Sequence, residues 1–361
     1  MKNKVTIIKS LGEYTDCIRS IAEEEHDNAD SPPILWFRGL SDVTHSLVPS
    51  LFRGGTRVDR VPGGGDYSAL HYAEDIRTQH YIAKNYHFLQ KEPSSRVEWL
   101  EVMQHHRMNT RVMDWSESSI HSLLFAIEPF LDKDAREKRQ DCVPCVWVLE
   151  PGKLNKKIFM YLKQESKENG IVDELLSELA KKSWERRRIF KIMERMAEKI
   201  YNETEETSHI DYIFNLSSIN DEILRDRNRI RYLLEHGDVI NPFYYILGRI
   251  YSDGHILKDR VLPPLAVVHP YHSERIKAQK GVFTVFPFYE EQKMDAVLRK
   301  ADLNPDAMEH NWMAEDCLHQ IVINNVHDVA YELLLNGMND SWLYPEMPIV
   351  SQEIERHKVY S

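Results

Sequence analysis

Four short apolar runs, spread between long stretches of helical patterning, constrain the fold of this chain more than any other feature. Ile34-Leu35-Trp36-Phe37, Val143 to Leu149, Leu265 to His269 and Val282 to Phe286 are rich in β-branched and aromatic residues and have the length of buried strands. Tyr67 to Phe88 and Arg96 to Met103 carry helical spacing instead. So do Lys293 to Leu303 and Ala314 to Leu335, the last followed by Gly337 as a C′ stop. Residues 4–27 read as a strand and then a helix from near Ser10 or Gly12. From about Pro151 to Gly237 the sequence is charged and helical, with strand signals on both sides. The pattern predicts an α+β fold: a mixed or antiparallel β core flanked by helices, made by residues 1–150 and 261–361. Residues 151–260 read as a helical insertion or subdomain. Ser273 to Gly281 continues the strand texture into Val282, and Ser341 to Glu346 caps the chain before a final short helix.

Composition narrows the function classes. Hydrophobic residues at 42% and aromatics at 10% describe a soluble globular protein. With 46 basic and 57 acidic residues the formal charge is −11, so no global field attracts nucleic acid. The basic run at residues 181–191 reads as a solvated helix face and leaves only a local nucleic-acid contact open. No stretch has the length to span a bilayer, and the first residues lack a signal-peptide core, so a cytoplasmic protein with no membrane partner is expected. Its four cysteines then read as thiols. Cys142 and Cys145 have C-x-x-C spacing, but Cys17 and Cys317 are lone and supply no second ligand pair, so strand cysteines are the reading. The loop with Gly54-Gly55 and Gly63-Gly64-Gly65 lacks the lysine-serine context of a phosphate-binding loop and reads as surface.

Candidate chemistry concentrates in Gln104-His105-His106-Arg107-Met108-Asn109-Thr110-Arg111-Val112-Met113-Asp114-Trp115. Behind it, Ile120, Leu123, Leu124 and Ile127 share one helix face, with Ser116 as N-cap and Glu117 at the positive end of the dipole. A polar loop feeding a buried helix is a place to hold an anion. Arg38, ending the first apolar run, needs a carboxylate or an anionic ligand, and Gly39 lets backbone or ligand come close. Two readings stand side by side. In one, Asp114 pairs with Arg38 or Arg111 and pins the loop while His105 and Trp115 fill the core. In the other, the set forms a ligand site. A metal-dependent hydrolase using His105, His106, Asp114 and His121 ranks third: no H-x-x-x-H pair is present, and no metal is expected.

The blocks Trp36-Phe37-Arg38-Gly39, Leu47-Val-Pro-Ser50-Leu-Phe-Arg53, Gln104-His105-His106-x-x-x-Thr110-Arg111-x-x-Asp114-Trp115 and Leu124-Phe125-Ala126 closely resemble the FRG-domain family. Arg275-Ile-x-x-Gln279-x-Gly281-x-Phe283 and Gly337-x-x-x-Ser341-x-x-x-Pro345 extend the likeness over nearly the whole chain outside the insertion. One departure is Arg107-Met108, where members usually carry glycine. Members resemble components of bacterial and phage-conflict systems, which implies antiphage defence. A weaker resemblance, to arginine–serine–glutamate ADP-ribosyltransferases, implies NAD or a related nucleotide as ligand and ADP-ribose transfer or hydrolysis, with a protein target as one acceptor. On that mapping Arg38 binds phosphate, Thr110 is the middle hydroxyl and Gln279 stands where the acidic residue belongs. In the enzyme reading Arg38 and Arg111 clamp phosphates, Thr110 orients ribose and Asp114 counters developing positive charge. Trp115 stacks on a ring, and His105 or His106 is the general base. Gly39, Gln104 and Arg275 complete the expected ligand contacts. Glutamine brings no charge, so a non-catalytic nucleotide- or phage-component-sensing module is the alternative. Arg38, Thr110–Asp114 and Arg275–Gln279 are expected to converge.

Overall fold

The expected strand runs pair into one sheet. In the computed structural model, which describes residues 4–25, 33–53, 69–89, 92–131 without 94, 141–170, 187, 191, 246–254, 262–288 without 270 and 272, and 314–344 without 339, seven strands form a mixed sheet. They are β1 (Lys4–Ile8), β2 (Trp36–Leu40), β3 (Val112–Ser116), β4 (Cys145–Leu149), β5 (Leu265–Val267), β6 (Gly281–Val285) and β7 (Leu318–Ile323). Their order is β1-β7-β4-β2-β3-β6-β5, and only the β1–β7 ladder is parallel.

Eight α-helices stand among the described residues, beside four shorter 3-10 or π segments: α1 (Leu11–Glu25), α2 (Ala69–Asn85), α3 (Arg96–His105), α4 (Ser119–Ile127), α5 (Pro151–Asn169), α6 (Glu274–Ala278), α7 (Val326–Leu335) and α8 (Asp340–Leu343). Both sheet faces are covered. Phe37, Val146, Val148 and Ile321 pack with Tyr14, Leu123, Leu124 and Leu333 on one side. Trp36, Trp147 and Leu149 pack with Leu100, Ile158 and Leu162 on the other. A strand buried on both faces is apolar at every position, which is why β4 reads as an unbroken run.

Three expectations need correction. Ala314 to Leu335 is not one helix: Leu318–Ile323 is β7, paired on both edges by β1 and β4. Its apolar spacing suits a helix face as well as a strand, and β-branched Ile321, Val322 and Ile323 side with the ladder. Ser273 to Gly281 is not extended: Ser273 caps α6, its hydroxyl accepting from the Ile276 N–H at 3.1 Å. The polar stretch does not run straight into a helix either, because Val112–Ser116 is β3, a central strand. The N-cap of α4 is accordingly Ser118, whose hydroxyl accepts from the His121 N–H, and not Ser116. Of residues 151–260, α5 and Ile246, Leu247, Ile250 and Tyr251 pack into the core. Asn155 of α5 exchanges hydrogen bonds of 2.8 and 3.0 Å with Ala266 of β5. The glycine loop at 54–65, Lys293 to Leu303 and nearly all of 181–191 lie outside the described residues.

Arg38 does not end its strand: β2 passes through Arg38 and Gly39 to Leu40 and pairs with β4 at five positions. With β3, by contrast, β2 shares one pair, Phe37 with Ser116. Beyond it the two central strands part. Gly39 is fixed by α4: a Cβ there would stand 1.9 Å from the Ser122 carbonyl oxygen and 2.7 Å from the Ala126 nitrogen. Both obstacles are backbone, so the helix itself has to move. Gly39→Ala should cost about 3 kcal/mol or more, seen as a lowered urea midpoint or as loss of soluble protein.

Candidate functional site

Where β2 and β3 part, the sheet holds a cleft of about 410 Å³, within the range of roughly 300–1,000 Å³ common for small-molecule sites. Arg38 of β2 and Asp114 of β3 face each other across it. The Arg38 Nη1 donates to Asp114 Oδ2 at 2.8 Å and to the Asp114 carbonyl. Gln104, in the last turn of α3, donates from Nε2 to Asp114 Oδ1 at 3.0 Å. Thr110 donates its hydroxyl to Gln104 Oε1 at 2.8 Å, and the Thr110 N–H donates to Ser50 Oγ at 3.1 Å. One relay therefore runs from the Leu47–Arg53 block to the guanidinium of β2.

Asp114 sits deep among protein atoms, yet 54% of its side-chain surface opens on the cleft, against 16% for Arg38. Burial pushes its carboxyl pKa up, but the Arg38 guanidinium and the Gln104 hydrogen bond outweigh it, and the net shift is downward. Asp114 is thus held ionised. Arg53 lies close enough to feel both groups. Its pKa is lowered first by burial and then by the like charge of Arg38, with Asp114 opposing.

The charge of the cleft is lopsided. Arg38, Arg107 and Arg275 line it with His45 and His105, and Asp114 is the single carboxylate among its lining residues. Arg275 stands on α6 with its guanidinium carbon 4.5 Å from the Tyr344 ring centroid. The apolar part comes from Phe37, Trp115, Phe125, Pro129 and Phe283.

Of the segments expected to converge, Arg38, Thr110–Asp114 and Arg275–Gln279, the cleft is lined by Arg38, Asp114, Arg275, Ile276 and Gln279 but not by Thr110 to Met113; Gly39, Gln104, His105 and Trp115 are also on the wall. Four expected contacts are placed otherwise. Arg111 is fully buried and outside the cleft. It donates to Glu74 Oε2 at 3.0 Å, the Phe286 carbonyl at 2.7 Å and the Ser252 carbonyl at 3.1 Å, so it clamps core segments instead of phosphate. Thr110 is buried too, its hydroxyl spent on Gln104. His106 is exposed and faces Tyr81, ring centroids 6.4 Å apart, away from the lining. Gln279 reaches the wall, but its side-chain Nε2 donates to the Leu343 carbonyl at 2.6 Å, while its backbone carbonyl accepts from Ser116 Oγ at 2.6 Å. Gly39 serves helix packing first, and the Trp115 indole N–H is taken by Thr284 Oγ1 at 3.0 Å. Sequence reasoning missed Ser41, His45, Phe125 and Pro129, and it placed Arg107 in the candidate stretch without assigning it a ligand contact. Phe125 lies one step off the apolar face of α4, and nothing in local spacing marks the others. Among the described residues no group of three or more His, Cys, Asp or Glu side chains is placed to hold a metal ion.

Fold and cleft together define an α+β protein with a net-cationic pocket at a break in its central sheet. Residues 33–135 match the family model of the FRG domain, and the chain therefore carries an FRG domain. That span supplies Arg38, Gln104, His105, Arg107 and Asp114; Arg275 and Gln279 lie beyond it, so the match is narrower than the motif likeness. Neither curated proteins nor solved structures give a match.

Two measurements separate the structural arginine from the cleft arginine. Arg111→Ala takes one of its two arginine partners from buried Glu74, empties a fully buried site and should cost about 3–5 kcal/mol in urea unfolding, whereas Arg38→Ala, at a solvent-reached pair, should cost under about 1 kcal/mol. Asp114 has a folded pKa below its unfolded one. The stability it contributes is therefore present above the ordinary carboxylate pKa and lost as pH falls through the depressed value. Urea midpoints of the wild type and Asp114→Asn should converge as the solution is acidified.

Proposed function

We propose that the cleft of this FRG domain binds NAD or a related nucleotide and acts at the nicotinamide ribose. The observation that carries the reading is a pocket with three guanidinium groups against one carboxylate and an aromatic wall beside them, in a chain of net charge −11. Such a lining suits a ligand with phosphates at one end and a flat ring at the other. Arg38 spends one terminal nitrogen on Asp114, and its other donors are oriented by that pair toward phosphate oxygens.

In the reaction, the C1′–N bond to nicotinamide breaks and its electron pair leaves with nicotinamide. The positive charge gathering at C1′ is countered by Asp114, which stays ionised at neutral pH. Water, or a hydroxyl of a protein target, forms the new bond to C1′, and its proton passes to His105 on the cleft wall. The products are nicotinamide and ADP-ribose, free or transferred. The phage-conflict setting implied by the family resemblance belongs to this proposal, as a use for NAD consumption or NAD sensing.

A second reading has its own support. Gln279 is bound to Leu343 and brings no charge, and the Asp114 charge is already matched by Arg38. A site so neutralised suits binding without turnover. Incubating purified protein with NAD and following nicotinamide by chromatography, beside calorimetry, decides between them. The enzyme reading expects nicotinamide release that falls at least about a hundredfold in Asp114→Ala, while Arg38→Ala weakens binding by roughly tenfold or more. Binding with no release supports the sensing module, and neither binding nor release rejects both.

A further inference from the structure

Arg107 has a backbone conformation that its side chain makes unfavourable. Helix α3 ends at His105 with His106 as C-cap. The Arg107 N–H then bonds the Gln104 carbonyl at 2.9 Å and the Met108 N–H bonds the Met103 carbonyl at 3.0 Å. This double closure is a Schellman ending, in which the residue after the cap turns left-handed and glycine is the usual occupant. Arg107 accordingly has φ +64. Met108 packs against the core cluster that holds buried Met103, which fixes the turn. An arginine here strains the chain, and glycine would make the same turn without strain; the cation's attraction to the helix C-terminus is screened at an exposed site.

The side chain has another use. Arg107 is exposed and lines the cleft, and its guanidinium takes part in no hydrogen bond or ion pair among the described residues. Strain held at a position whose side chain enters a ligand-sized cavity points to recognition as its purpose. We propose that Arg107 is a phosphate-recognising residue that makes the cleft selective for ligands carrying two or more phosphate charges, such as a pyrophosphate. Arg38 alone is half-committed to Asp114. Arg107 adds an uncommitted guanidinium just past the end of α3, in the same cleft that Arg275 of α6 lines. A ligand with a single phosphate charge cannot engage both ends, so the gain is reserved for the longer anion.

The inference rests on the reading of the cleft as an anion site, and the identity of the nucleotide does not enter it. The experiment compares wild type, Arg107→Gly and Arg107→Ala by thermal melting and by calorimetry with inorganic pyrophosphate, NAD and inorganic phosphate at low ionic strength. Arg107→Gly should melt about 2 °C higher, because the turn is relieved, yet bind pyrophosphate roughly tenfold more weakly. Arg107→Ala should lose the same affinity without the gain in melting temperature. Inorganic phosphate should bind weakly to all three and alike. A merely structural arginine would move stability and affinity in the same direction. Equal pyrophosphate affinity in wild type and Arg107→Gly overturns the proposal, as does a wild type that binds no pyrophosphate. Binding of pyrophosphate but not NAD sinks the nucleotide reading while leaving Arg107 in its role.

Discussion

The ion pair between Arg38 and Asp114 decides how the centre of this sheet is used. β2 and β3 are neighbours that share one register pair and then separate, leaving backbone groups and a charged side chain from each strand over the gap. Without a counter-charge, a guanidinium in the middle of a sheet would bear the full cost of desolvation. With Asp114 opposite, the pair bridges the two strands across the gap. Such a pair, reached by solvent, contributes little to stability. Its value lies in position: it defines the floor of the cleft and fixes the ionisation of the carboxylate there.

Around that floor the sequence separates charges meant for structure from charges meant for the cavity. Arg111 and Asp114 are three residues apart, yet Arg111 enters the core to meet Glu74 and the carbonyls of Ser252 and Phe286, while Asp114 faces the opening. Glu74 also receives Arg96 at 2.9 Å, so α2, α3 and the start of β3 are locked by one buried cluster. Such a cluster has every reason to be rigid, since removing any member strands a charge in low dielectric. Thr110 and Gln104 transmit that rigidity to Asp114. Of these residues only Gln104 lines the cavity; Glu74, Arg96, Thr110 and Arg111 pre-organise it from outside.

How much of this was legible beforehand follows from range. Strands β2, β4, β5 and β6 announce themselves because each is a local run, and Arg38 and Asp114 stand out because an arginine after Trp36-Phe37 and an aspartate before Trp115 are locally costly. β3 was hidden by that same aspartate, which breaks its apolar run at the one position facing solvent. β7 was hidden because its partners, β1 and β4, lie far away in sequence, and only they turn an ambiguous apolar spacing into a strand. The fate of Arg111 depended on Glu74, thirty-seven residues earlier, and no local rule tells a buried arginine from a ligand-facing one. Likewise the left-handed turn at Arg107 follows from where α3 stops, a boundary that sequence patterning leaves loose by a few residues.

The far wall of the cleft is built differently from the near one. Arg38, Gln104, Arg107 and Asp114 all come from the span that matches the FRG domain, whereas Arg275 and Gln279 arrive on α6, more than a hundred residues later. Neither of the later two is held by the domain alone. Gln279 leans on the Leu343 carbonyl, and Arg275 lies over the ring of Tyr344, whose hydroxyl donates to Glu128 at 3.3 Å. His121 of α4 stacks on Trp342, ring centroids 5.1 Å apart, so α8 is tied back onto the helix that Gly39 packs against. The cleft is therefore closed by a loop of contacts from β2 through α4 and α8 to α6. Any shift of α4 against β2 would reach Arg275 through that loop, so the tight Gly39 contact bears on the position of a cleft cation as well as on the packing of the sheet.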